Sequence, residues 1–395
     1  MNGKLKRAGR TVWRKVRQIA AGFAEDVTSH VHCAAEHKWR TAANSGLFVA
    51  AMILLCASVV YAKGHSYYAQ SNYVADSEVQ ETIIQEKEPV DEEPVDEELQ
   101  AIQENIEKYR YDGNIMTEDN VYNILLIGVD RTKSTENANS DSMILLSVND
   151  EKKQISMVSL MRDTCVDIPG IGYRKLNAAY ANGGGPLLVE TVTENFKVNV
   201  DRYMAVSFKD MIDIIDAIGS ITLTFTEKEA ANANQTMEHM CQNMNIEDRY
   251  PEYMIPGEGT YECQGIQAVA YARIRKVGNS DYQRTERQRE VLTKLTQKIR
   301  QMSIGEIDKL ANRLLPLVTH NIPENEFWGL LGKVPSMLHY QLVKDRIPYD
   351  GMFVSQNEKL VPDWEETVAK LQEMLYGAKA QEETGEAVQE TAEES

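Results

Sequence analysis

The apolar positions of this chain follow three patterns. The first is a single run, "TAANSGLFVAAMILLCASVVYA" (residues 41–62), unbroken by charge and flanked by Arg40 and Lys63. At 1.5 Å per residue such a helix would reach about 33 Å, close to the roughly 30 Å of a bilayer's hydrocarbon core. It predicts a single transmembrane helix. The second pattern, over 119–302, is a series of short runs. "NILLIGVD", "SMILLSVND" and "QISMVSLMRD" read as strands covered on both faces, and "YMAVSF" and the β-branched "SITLTFT" as two more. Helical patterns lie between them. "GGGPLLVETVTENF" has Pro186 at a first helical position, "KDMIDIIDAIG" is closed by Gly219, and 227–250 reads as a polar helical insertion. The third pattern, over 303–378, predicts two helices ("IDKLANRLLPLVTH", "NEFWGLLGKVPSML"), a strand ("RIPYDGM") and a last helix ("DWEETVAKLQEMLYG") that complete the domain or append a small one. Strands interleaved with helices predict an α/β fold, an α-β-α sandwich around a central mixed sheet.

Charge changes the picture by its distribution. The 395 residues carry a formal net charge of -18, yet in 1–40 basic residues outnumber acidic ones about three to one. The positive-inside rule therefore places 1–40 in the cytoplasm and everything beyond the apolar run outside the cell membrane. The basic segment is too long for an ordinary signal peptide, so an uncleaved anchor is expected. Its "LKRAGRTVWRKVRQIAAGF" reads either as a basic amphipathic helix on the inner leaflet or as a tail that only sets topology. Residues 63–118 contain "EKEPVDEEPVDEE", which repels itself and reads as an acidic linker, and 379–395 read as a disordered acidic tail. Five cysteines are too few for a disulfide framework. Cys33 and Cys56 fall before or within the anchor. Cys165, Cys241 and Cys263 read as buried thiols, with a Cys241–Cys263 bond as the alternative.

Against this acidic background, "ARIRKVGNSDYQRTERQREVL" concentrates arginines. Ile266, Val269, Ala270 and Arg273 share one helical stripe, which turns Arg273 inward. Ser280 and Gln283 predict a helix start. Extended backwards, the stripe Val291, Leu292, Leu295, Ile299 reaches Gln288 and Arg284. Cations in a first helical turn oppose the macrodipole by roughly 0.3–1 kcal/mol each, a cost that an anion bound there reverses. Arg273, Arg275 and Arg284 are read as an anion site. Arg289 and Arg300 are read as a solvated face paired with Glu286 and Glu290. Nucleic acid is a poor candidate for the anion, because the segment lies outside the membrane and lacks an aromatic platform.

Asp130 ends one strand and Asp141 precedes the next. Paired carboxylates at strand ends beside a phosphate site are a usual way to hold Mg²⁺, and two turn-forming aspartates are the alternative. Arg162 and Asp163 follow the third strand. There is no G-x-S-x-G elbow, no Walker A loop and no His-rich metal signature.

Taken in order, "NILLIGVDR", "SDSMILLSVN", "VSLMRDTCVDIPGIGYRKLNAAYANGG", "FKDMIDIIDAIG" and "GIQAVAYARIRKVGNSDYQRTERQREVL" resemble the LytR-CpsA-Psr family of cell-wall phosphotransferases, over roughly 121–302. The resemblance implies a catalytic core over 119–302. It implies an enzyme that moves a glycopolymer (teichoic acid, capsule or another) with one phosphate from a polyprenyl-pyrophosphate carrier onto peptidoglycan. It also implies Mg²⁺ or Mn²⁺ on Asp130 and Asp141, pyrophosphate on Arg131, Arg162, Lys175, Arg273, Arg275, Arg284 and Gln288, and a lipid tail in an apolar tunnel between sheet and helices. Asp163 and Asp281 are candidate bases beside Arg162, Arg273 and Arg275. The chain departs from the family pattern at Asn139, where an arginine is common, and at Gly219-Ser220. A membrane-anchored receptor for polyprenyl phosphates and a lipid pyrophosphatase are the alternatives.

Overall fold

The computed structural model describes residues 63–78, 97–129, 140–275, 277–278 and 281–377. The basic segment, the apolar run 41–62, most of the acidic repeat and the tail lie outside the described residues. The chain divides into two units, Met1–Ser66 and Tyr67–Ser395, and the second carries the sheet. Among the described residues no helix is long and apolar enough to cross a membrane.

Seven strands form one mixed sheet in the order β1 (Asn72–Tyr73), β10 (Thr319–His320), β7 (Arg202–Ser207), β2 (Val121–Val129), β3 (Ser140–Asn149), β4 (Gln154–Leu160) and β11 (Gln341–Ile347). The three central runs, β2, β3 and β4, pair antiparallel, while β7 and β11 add in parallel to β2 and β4. Two-residue alternation divides β2. Leu125 and Ile127 enter one core, and Leu126 and Gly128 face the other side. Three hairpins stand off the sheet: β5 (Cys165–Ile168) with β6 (Gly172–Lys175), β8 (Ile221–Phe225) with β9 (Gly259–Cys263), and β12 (Phe353–Gln356) with β13 (Lys359–Pro362).

One face of the sheet is closed by α2 (Asn177–Phe196) and α9 (Trp364–Leu375), whose Leu188, Val192, Phe196, Val368 and Leu371 are fully or almost fully buried with Leu125, Leu145 and Val158. Each such side chain contributes about 1.5–3 kcal/mol on leaving water. Helix α2 is kinked where the glycines fall, with non-helical backbone at Gly183 and Gly184. Gly184 takes φ +60°, a turn that L residues avoid, and a Cβ on Gly185 would lie 2.4 Å from the Tyr203 ring. The helix proper then runs from the proline entry that the sequence predicts.

A second cluster gathers α3 (Phe208–Ile218), α4 (Glu227–Asn243), α5 (Gly265–Ala272), α6 (Asp281–Ile299) and α7 (Ile304–Leu314) around the β8–β9 hairpin, with Ile215, Phe225, Met237 and Ile266 at its centre. Helix α8 (Glu324–Met337) leads into β11. The second cluster does not close onto the sheet, and an apolar cavity lies between them.

A mixed α/β fold about a central mixed sheet matches the expectation. Three details differ. Strand β11 ends at Ile347, because Pro348 has no N–H to continue the ladder, so only the first two residues of "RIPYDGM" are strand and the rest of that strand lies before them. The β12–β13 hairpin is absent from the sequence reading. The folded body also begins before 119. Helix α1 (Glu97–Lys108) buries Ile102 and Ile106 against Cys165 and Val361. Two isoleucines four apart among acidic residues are too sparse a stripe to read, yet they suffice to dock one helical face.

Candidate active site

The β3–β4 register builds the centre of the site. Met143 pairs with Leu160. Continuing that register outward brings Asp141 opposite Arg162, and Arg162 Nη1 donates to Asp141 Oδ1 at 3.0 Å. A β-bulge aims the aspartate. On β2, Gly128 pairs with Ser142 and Val129 with Ser140, so Asp141 is the extra residue. Arg275, from the turn after α5, donates through Nη2 to Asp141 Oδ2 at 2.7 Å. Past Arg162, Asp163 stands 3.5 Å from Arg162 Nε and 3.2 Å from Lys175 Nζ. The result is an alternating row, Arg275–Asp141–Arg162–Asp163–Lys175, in which charge-assisted hydrogen bonds hold each cation in place before any ligand arrives.

Next to this row, Ser142 Oγ donates to Gln288 Oε1 at 3.0 Å, which ties β3 to α6. The helical phase predicted for α6 is observed: Arg284, Gln288, Val291 and Leu295 are all buried, Arg284 to 2% exposure. Arg273 caps α5, and its guanidinium lies 4.2 Å from the Phe208 ring centroid, within cation–π range. Arg287 serves a structural purpose. It is 4% exposed and bonds Glu229 Oε1 at 2.9 Å, the Ile274 carbonyl at 3.2 Å and Gln283 Oε1 at 3.2 Å. Burial disfavours ionising Glu229, but hydrogen bonds from the Thr226 backbone and side chain and from Arg287 outweigh it and hold the carboxyl below its ordinary range. Among the described residues Arg289 and Arg300 form no ion pair with Glu286 or Glu290. They donate to the carbonyls of Asp345 and Tyr340, and burial lowers the pKa of Arg289. Cys165, Cys241 and Cys263 are buried thiols outside any disulfide, as read from the sequence, and burial pushes the Cys263 thiol up to about 12.

The cavity between sheet and helices opens beside the row. It spans about 870 Å³, its open mouth included, and is lined by Leu126, Ile144, Met204, Val206, Met211 and Leu292, with Ser142, Arg273 and Gln288 as its polar residues. The cavity lies between sheet and helices, where the sequence reading expects an apolar tunnel. A site of this shape suits an amphipathic anion, with its apolar chain in the cavity and its charged head on the guanidinium groups.

Asp130 and Arg131 lie outside the described residues, as does the side chain of Asp281. No group of three acidic, His or Cys ligands occurs among the described residues. The sequence reading passed over Ser142, Phe208 and the Glu229–Arg287 pair. It also passed over the face of α4 that meets Arg273 and Arg275, although Thr236, His239 and Asn243 recur there at helical spacing.

In comparison with known proteins, residues 73–375 match the model of the LytR_cpsA_psr family. Biofilm regulatory protein A of Streptococcus mutans is 32% identical over 260 residues, 60% of this chain and 60% of that protein. Polyisoprenyl-teichoic acid–peptidoglycan teichoic acid transferase TagU of Enterococcus faecalis is 32% identical over 200 residues, 50% of this chain and 59% of that protein. The chain thus spans about three fifths of the length of these relatives. The structure of TagT bound to LIIa-WTA superposes with a TM-score of 0.51 at 25% identity, covering 66% of this chain and 94% of that one.

Proposed function

The chain belongs to the LytR-CpsA-Psr family, and from that premise we propose that it is a phosphotransferase moving a glycopolymer from a polyprenyl-pyrophosphate carrier onto peptidoglycan. In this reading it is anchored in the cell membrane by residues 41–62, with the N-terminus cytoplasmic and Tyr67–Ser395 outside. The observation that carries the reading is an almost wholly apolar cavity that Arg273 lines and whose Ser142 adjoins Asp141, the carboxylate that holds Arg162 and Arg275. A free sugar phosphate has no use for the cavity, and an uncharged lipid has no use for the arginines. A polyprenyl diphosphate fills both. TagU, at 32% identity, is a teichoic acid transferase by name, which supports the same class of donor.

The chemistry is an in-line displacement. A sugar hydroxyl of the acceptor attacks the phosphorus that bears the glycopolymer. The P–O bond to the lipid phosphate breaks, and polyprenyl monophosphate leaves along the cavity. Such a transition state needs charge stabilisation and alignment more than covalent help. Arg162 and Arg275 are positioned for that by Asp141, and Arg162 and Lys175 by Asp163. The incoming phosphate oxygens exchange with the carboxylates on the guanidinium forks. Arg284 and Gln288, on the inward face of α6, back the same end of the site. Asp163 and Asp281 are the carboxylates offered to the acceptor's proton.

Magnesium or manganese would compete for Asp141, whose two oxygens accept from Arg162 and Arg275 in the free protein. Asp141 presents hard carboxylate oxygens, and Mg²⁺ commonly takes one or two protein carboxylates and completes its shell with phosphate oxygens and water. Asp141, with Asp130, would hold the ion. Bound there, it would neutralise charge on the diphosphate.

The test is transfer itself. The full chain in detergent is incubated with a polyprenyl-pyrophosphate-linked glycan, Mg²⁺ and peptidoglycan fragments. Glycan covalently joined to the fragments, with release of polyprenyl monophosphate, is the expected result. Release of phosphate without an acceptor, or tight lipid binding with no product, would replace this reading with a lipid pyrophosphatase or a receptor.

A further inference from the structure

A second hollow touches the site. It holds about 550 Å³ and lies between α4 and the turn that follows α5, lined by Thr236, His239, Met240, Asn243, Arg273 and Arg275. The four α4 residues are spaced i, i+3, i+4 and i+7, so one helical face presents a hydroxyl, an imidazole, a thioether and a carboxamide to two guanidinium groups. That face is fixed. A capping box between Thr226 and Glu229 starts the helix, Glu229 is clamped by Arg287, Asn234 bonds both the N–H and the carbonyl of Ile255, and Ala233 and Met237 are buried beneath. Groups held this way on a rigid element can recognise a ligand without first being ordered.

Arg273 is the residue common to this hollow and the apolar cavity. The other cavity walls come from the sheet, α3, α5 and α6, whereas the other walls of the hollow come from α4 and Arg275. The two spaces therefore share the Arg273 side chain, and the hollow adds Arg275, the first member of the row. In-line transfer requires the nucleophile to enter on the side of phosphorus away from the leaving group. With the lipid phosphate leaving into the apolar cavity, the hydroxyl must arrive from the other space.

We propose that the α4 hollow is the acceptor subsite and takes an anionic amino sugar. The carboxamide, hydroxyl and imidazole suit its hydroxyl and acetamido groups, the Met240 thioether packs against the ring, and Arg275, whose side chain is 43% exposed, meets its carboxylate. Thr236 donates its own proton to the Asn232 carbonyl at 2.9 Å and so offers the ligand its lone pairs. Thr236, His239 and Asn243 act as acceptor-binding residues. The hydroxyl oxygen forms the new bond to phosphorus as the bond to the lipid phosphate breaks.

This inference rests on the transferase reading, and the experiment separates the two. The full chain in detergent is tested as wild type, His239→Ala/Asn243→Ala and His239→Gln. Both positions are exposed in the free protein, so the fold should tolerate them. Acceptor KM is measured with soluble peptidoglycan oligosaccharides, and donor affinity with polyprenyl-pyrophosphate-linked N-acetylglucosamine. The double variant should raise acceptor KM about tenfold or more with donor affinity unchanged, and His239→Gln should recover most of it. An unchanged acceptor KM overturns the proposal. So does an equal loss of donor affinity, which would give the hollow to the donor's sugar. If the wild type transfers nothing, the transferase reading fails, and oligosaccharide binding by calorimetry then decides this one. Binding weakened by the double variant upholds the subsite, and no binding by the wild type overturns it.

Discussion

Arg275 Nη2 stands 2.7 Å from Asp141 Oδ2, a hydrogen bond spanning 134 residues of sequence. The side chain of Asp141 is 12% exposed and that of Arg275 43%, so the pair is too wet to hold the fold together. Exposed ion pairs are worth about 0–1 kcal/mol. Arg275→Ala should shift the unfolding midpoint by no more than that, while transfer falls about 100-fold or more through loss of a charge-stabilising donor. Denaturation and turnover assays on the same sample check both halves. A large loss of stability would assign Arg275 to structure.

The opposite outcome is expected at Arg287. Its buried bond to Glu229 joins α6 to α4, so Arg287→Ala strands a buried carboxylate and should cost about 3–5 kcal/mol. A double replacement, Arg287→Met with Glu229→Leu, should regain most of that. Chemical denaturation of Arg287→Met, Glu229→Leu and the double variant measures the cycle, and a loss in the double equal to the sum of the two singles would show that the pair is not coupled.

Filling the apolar cavity should separate lipid binding from folding. Val206→Phe projects a ring into space bordered by Leu126 and Met204. The melting temperature should hold or rise, while affinity for polyprenyl pyrophosphate falls about tenfold or more. Unchanged lipid affinity would place the chain elsewhere.

His320 should make the fold acid-sensitive. It is 3% exposed. Its Nδ1 accepts from the Ile322 N–H at 3.1 Å, and Nε2 is buried without a hydrogen-bond partner among the described residues. Burial lowers its pKa, so the folded state holds it neutral. The unfolded chain takes up the proton first. The stability tied to this group is full above about pH 6.5 and is lost as pH falls through the lower folded value. Melting temperature should drop from pH 7.5 to 5, and His320→Gln should flatten that slope. Glu229 adds a similar loss only below the ordinary glutamate range.

The strands around the site were legible because each is a continuous apolar run ended by a charge. The phase of α6 was legible because Gln288 and Arg284 fall on the stripe of Val291 and Leu295. The Asp141–Arg162 pair was not, since it depends on a β3–β4 register and on a bulge that local sequence does not announce. The Glu229–Arg287 bond was also hidden. Both residues look like surface charges until α4 and α6 are packed side by side. Helix α1 escaped notice because two isoleucines among acids carry almost no periodic signal.

The cavity beside the guanidinium row has a mechanical consequence. A hollow walled by hydrocarbon is volume that unfolding abolishes, so hydrostatic pressure should favour the unfolded chain here more than in a solidly packed domain of the same length. A bound polyprenyl tail would replace that empty volume with matter. The ligand-loaded protein should then resist kilobar pressures that collapse the free form.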